Sequence, residues 1–69
     1  MKLSARNILK GKVIQIVKGA VNSEVILELP GGEQLVSIIT NASVESLELK
    51  EGKPAYAIIK ASNIMVGVD

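Results

Sequence analysis

The sequence contains no cysteine, histidine, tryptophan or phenylalanine, and its one aromatic residue is Tyr56. Each absence removes a class of function. Without Cys or His there are no ligands for the usual structural zinc or iron–sulfur sites, no thiol nucleophile and no imidazole base. A single aromatic gives successive nucleic-acid bases nothing to stack on. Charge of one sign is scarce too. Eight Lys and Arg against seven Asp and Glu leave a formal net charge of +1, so no strong basic field draws in nucleic acid or an acidic membrane. No apolar run approaches the roughly 18 residues of a membrane span. Met1-Lys2-Leu3-Ser4 leads into Arg6 and Lys10 without the apolar stretch of a signal peptide. The expectation is a cytoplasmic protein that is not an enzyme, carries no cofactor and has no nucleic-acid or membrane partner.

What is present is aliphatic. Hydrophobic residues make up 48% of the 69 residues, and Val, Ile and Leu alone number 24. A chain of this length forms a single domain, residues 1–69, and buries only about 60% of the surface it exposes when unfolded. Small domains compensate with disulfides, structural metals or oligomerisation. The first two need residues this chain lacks, so part of the apolar surface is expected in subunit interfaces. A well-packed monomer with an aliphatic surface is the alternative.

The periodicity is mostly two. Val21, Ser23, Val25, Leu27 and Leu29 alternate with Asn22, Glu24, Ile26 and Glu28, the pattern of a half-buried strand. Pro30-Gly31-Gly32 closes a hairpin, since Pro presets one turn dihedral and Gly accepts positive φ. Leu35–Thr40 is the return strand. Ile8–Val17 reads as a longer first strand, with a bulge or sharp bend at Gly11. The alternation breaks after Thr40, where Thr40 or Asn41 can cap a short helix with Val44 and Leu47 on one face. Ala55–Lys60 reads as a fourth strand and Ile64–Val68 as a fifth. This is an all-β chain with the element order of a small five-stranded OB-fold-like barrel, one short helix lying between strands three and four. An open sandwich is the competing architecture.

Three polar clusters interrupt the aliphatic pattern: Ser4-Ala5-Arg6-Asn7, Thr40-Asn41-Ala42-Ser43 and Lys60-Ala61-Ser62-Asn63. Each combines hydroxyl or amide donors with small residues that let an anion approach backbone N–H groups, and two carry a cation. Together they read as parts of an anion site. Singly, each also reads as ordinary capping, a strand end or a solvated charge.

Ser4-Ala5-Arg6-Asn7, followed by Leu9-Lys10-Gly11-Lys12-Val13, resembles the opening of the molybdate-binding Mop domain. The likeness continues through Lys18–Val25, Ser37-Ile38-Ile39-Thr40, Ser43–Leu47, Gly52 and Ile58–Val66. As one such unit and nothing more, the chain resembles the free-standing molbindins. That resemblance implies a homohexamer, a trimer of dimers, holding molybdate or tungstate between subunits for molybdenum storage and homeostasis. It implies oxyanion-binding roles for Ser4, Arg6, Thr40, Ser43 and Lys60, with backbone donors near Ala5 and Ala61. A second oxyanion site is expected at Gly19, Ala20, Val21 and Asn22. The ligand is an oxyanion held by hydrogen bonds, so no metal-ligating side chains are required. An OB-fold module for single-stranded nucleic acid, and a purely structural oligomer, are the competing functions.

Overall fold

The computed structural model describes all residues, 1–69. Four strands, β1 (Asn7–Lys18), β2 (Asn22–Glu28), β3 (Gln34–Thr40) and β4 (Pro54–Ile59), form one antiparallel sheet of order β3-β2-β1-β4. A six-residue helix, α1 (Asn41–Ser46), joins β3 to β4, and a 3-10 turn at Ala61–Asn63 follows β4. β1 serves two partners. Its first half, Asn7–Lys12, pairs with β4, and its second half, Lys12–Lys18, with β2. Using one strand twice curls the sheet into a half-barrel, so residues of β2, β3 and β4 face a common apolar cleft.

The expected bend in β1 is present, but the bulge is not at Gly11. Gly11 stays in register opposite Ala55. The ladder slips between Val13 and Gln15, where β1 passes from β4 to β2, and the extra residue is Ile14. Gly11 serves a different need: a Cβ there would lie 2.7 Å from the Glu28 carbonyl oxygen, so only glycine lets the end of β2 close in. The Pro30-Gly31-Gly32 hairpin forms as expected. Gly32 adopts φ of 94°, and its N–H reaches the Leu29 carbonyl at 2.9 Å.

The alternation of β2 decides what is inside. Ser23, Val25 and Leu27 are buried while their neighbours are not. With Val13 they are the only four buried residues of the chain. Ile16, Leu35, Ile39, Val44, Leu49, Ala55 and Ala57 pack partly buried around the three aliphatic ones. Outward-facing Val36 and Ile38 remain 60% and 70% exposed.

The fifth strand expected over Ile64–Val68 does not form within the chain, and the sheet has four strands. A strand exists only where a neighbour takes up its N–H and C=O groups. The 3-10 turn carries the tail away from the sheet, leaving Met65, Val66 and Val68 more than 90% exposed. Backbone–backbone hydrogen bonds accordingly number 32, where a closed domain of this length carries about 45–50. The radius of gyration, 12.7 Å, exceeds the roughly 11 Å of a compact chain this long. No helix is long and apolar enough to cross a membrane.

Candidate functional site

β1 and β4 bring the two charged clusters together. Their pairing ends at Asn7 opposite Ile59, so the residues just beyond, Arg6 and Lys60, flank one another off the end of the ladder. The Asn7 side-chain amide donates to the Ile59 carbonyl at 3.2 Å and holds the two chain segments at that end. Ser4, Ala5, Arg6, Lys60, Ala61 and Ser62 line a cleft of about 420 Å³. No carboxylate lines it; Glu45 borders a different cleft with Glu48, Lys50 and Lys53. The 3-10 turn is held by bonds from the N–H groups of Asn63 and Ile64 back to the carbonyls of Lys60 and Ala61. The first N–H groups of such a turn have no acceptor within it. The cleft therefore combines two cations and two hydroxyls with the leading amides of the turn.

Thr40 and Ser43 do not line this cleft. Thr40 ends β3, the edge strand separated from β4 by β2 and β1, and Ser43 lies in the first turn of α1. Thr40 caps α1: its Oγ1 accepts from the Ser43 N–H at 3.0 Å, and its own proton goes to Ser43 Oγ at 2.8 Å. Ser43 is left with a hydroxyl proton for another acceptor. Five of the seven expected site residues thus meet, together with Ser62, and the other two form a separate pair.

The Gly19–Asn22 segment is a tight loop between β1 and β2. Three of its four carbonyls are occupied: Gly19 oxygen accepts from the Asn41 side chain, Val21 oxygen from the Asn41 N–H, and Asn22 oxygen from the Gly19 N–H. The N–H groups of Ala20 and Val21 have no partner among the bonds outside the ladders and helix. Asn41 belongs to the Thr40–Ser43 cluster singled out in the sequence, but neither it nor Ser23 was expected to hold this loop. The available signal for Ser23 was a hydroxyl on the otherwise aliphatic face of β2.

Residues 3–66 match the model of the TOBE domain. The chain belongs to the TOBE-domain family. Among its relatives, a probable molybdenum-pterin-binding protein of Haemophilus influenzae is 54% identical over 69 residues, all of both chains. The solved structure of MopII from Clostridium pasteurianum superposes on this TOBE domain with a TM-score of 0.91 at 46% identity, covering 97% of this chain and 100% of that one. ModG, described as a cytoplasmic molybdate-binding protein and solved with molybdate bound, gives 0.96 at 52% identity. That match takes in all of this chain and 49% of the longer ModG chain. The Mop resemblance carried by Ser4-Ala5-Arg6-Asn7 is thereby borne out, as is the OB-like architecture.

Proposed function

We propose that this TOBE domain binds molybdate or tungstate between subunits of a homohexamer, a trimer of dimers, and stores or buffers the anion in the cytoplasm. The observation that carries the reading is the carboxylate-free cleft containing Arg6 and Lys60. A tetrahedral dianion presents acceptor oxygens only, so its site needs donors only, with about two positive charges to offset its own. Ser4, Arg6, Lys60 and the amides near Ala5 and Ala61 supply these from one subunit. Thr40 and Ser43, at the far side of the sheet, complete the shell from a second. Each charge-assisted hydrogen bond contributes about 1.5–3 kcal/mol. Several exceed the roughly 8 kcal/mol of micromolar binding before desolvation and ordering costs are subtracted.

The open edges β3 and β4, the exposed Val36 and Ile38, and the unpaired apolar tail Ile64–Val68 are the surfaces that assembly covers. The paired free amides of Ala20 and Val21 form the second, weaker oxyanion site. Donors alone also accept sulfate, so selectivity rests on cavity size, held by a rigid interface. Thermal unfolding with molybdate, tungstate or sulfate, alongside native mass measurement, tests the reading. A ligand at 100 times its Kd stabilises the folded state by about 2.7 kcal/mol. The melting temperature should rise with molybdate and tungstate and not with equimolar sulfate, on a species of six chains. Equal shifts with all three anions, or a monomer, reject it.

A further inference from the structure

We propose that Asn7 is a positioning residue for the anion cleft: its side-chain bond clamps the Arg6 arm against the Lys60 turn and so forms the cleft before the anion arrives. The inference rests on the oxyanion reading above and adds to it how the two cations are kept facing one site. Arg6 directly precedes Asn7 and Lys60 directly follows Ile59, and Asn7 opposite Ile59 is the last pair of the β1–β4 ladder. Asn7 Nδ2 donates to the Ile59 carbonyl at 3.2 Å, joining positions 52 apart in the sequence. Asn7 itself does not line the cleft, so it acts through its neighbours and not on the ligand.

The two sides of the cleft are held unequally. The Lys60 side is fixed by the turn bonds from the Asn63 and Ile64 N–H groups. The arm is not: Met1–Arg6 belong to no strand or helix, and neither the side-chain bonds nor the backbone bonds outside the ladders reach them. Asn7 is therefore the first tethered residue of the chain. Electrostatics works against the tether. Arg6 and Lys60 carry like charges and no carboxylate lines the cleft between them, so in the empty cleft their repulsion pulls at the end of the ladder, where fraying is easiest. Asn is also a poor strand former, so strand propensity gives no reason for it at this position. A side-chain donor that closes the ladder end gives one. With the arm ordered in advance, the anion is spared that ordering cost, and affinity rises without a new contact to the ligand.

Asn7→Val removes the donor and puts a strand-favouring residue in its place, so a loss of binding does not trace to a weaker strand. Calorimetry and the Ala61 and Ser62 amide NMR signals of the assembled protein read molybdate affinity. It should fall about three- to tenfold, the size of one hydrogen bond, with the melting temperature and the six-chain species unchanged. Before molybdate is added, the Ala5 and Arg6 amides should be less ordered than in the unaltered protein, and molybdate should restore their order. Asn7→Leu, which keeps the branching and lacks the donor, should behave alike. In an Arg6→Ala background Asn7→Val should add less than about a twofold loss, because the charge it positions is gone. Affinity unchanged in both Asn7 variants overturns the proposal while leaving the cleft standing. So does an arm equally ordered without the Asn7 amide, or full additivity with Arg6→Ala, which would mean that Asn7 acts on the fold at large. If Arg6→Ala itself leaves molybdate binding unchanged, the oxyanion reading fails and takes this inference with it.

Discussion

The two donor clusters at opposite edges of the sheet are built on opposite plans. The cleft beyond β4 carries the charge, Arg6 and Lys60, and has one side-chain tie at its base, from Asn7 to Ile59. The start of α1 carries no charge among Thr40–Ser43 and is densely bonded: Thr40 to Ser43 twice, and Asn41 to Ser23, Gly19 and Val21. One cluster supplies electrostatic attraction on long side chains, the other fixed hydrogen-bond directions on short ones. Charge attracts any anion, whereas rigid hydroxyls spaced by an interface set which size fits. Neither plan alone makes a selective site, which is the physical reason the proposed site draws one cluster from each of two subunits.

Removing charge is the largest way to break that comparison. Arg6→Ala and Lys60→Ala should each weaken molybdate binding at least tenfold, since each removes charge-assisted bonds of about 1.5–3 kcal/mol. Calorimetry reads the loss. Native mass should show the oligomer intact, because both side chains lie in a polar cleft and not among the exposed aliphatics. Unchanged affinity in both variants removes the cleft from the site.

Gly19→Ala attacks the rigid plan through the backbone. A Cβ at this position would sit 2.6 Å from the Asn22 carbonyl oxygen, closer than carbon and oxygen tolerate, so the loop must shift. Overpacking of this kind costs about 1–3 kcal/mol, and the melting temperature should fall accordingly. Cleft binding, read at Ala61 and Ser62, should weaken less than in Arg6→Ala.

Thr40→Ala comes next. It deletes the cap of α1, worth about 1 kcal/mol of stability, and one donor of the rigid cluster. Thr40→Ser keeps the hydroxyl and should restore both melting temperature and affinity. A serine variant as weak as the alanine one would mean the threonine methyl, not its oxygen, is what matters.

Much of this was legible in the sequence, and the parts that were not share a cause. Strict alternation in Asn22–Glu28 and the Pro30-Gly31-Gly32 turn identify a hairpin because both signals are local. The Arg6 and Lys60 clusters were visible as donors. Their meeting depends on β1 pairing with β4, a long-range contact that no local signal marks. Ile64–Val68 has the composition of a strand, but composition specifies only the capacity to pair, and the chain holds no partner for it. The role of Asn41 was hidden because it exists only in the register that sets Asn22 opposite Thr40. Ile14 became the bulge, and not Gly11, because the slip occurs where β1 changes partner. No single residue type marks such a place.

The smallest test bears on whether the start of α1 is rigid in itself or is held by the helix as a whole. The helix ends with Leu47 as its cap and Glu48 at φ of 52°, the left-handed region where a residue with a Cβ is strained by about 1–2 kcal/mol. Glycine removes that strain but loses about 0.5–1 kcal/mol to its greater freedom when unfolded. Glu48→Gly should therefore stabilise the fold by roughly 1 kcal/mol or less, a rise of a few degrees in melting temperature for a domain of this size. Molybdate affinity should not change, because Thr40 and Asn41 are held by Ser43 and the β1–β2 loop, and the helix end reaches Ser43 only at its carbonyl, through the Leu47 N–H and the Ser46 hydroxyl, not at its own hydroxyl. A change in affinity would make α1 a lever between its two ends, and the rigid cluster would then owe its geometry to the helix and not to the sheet.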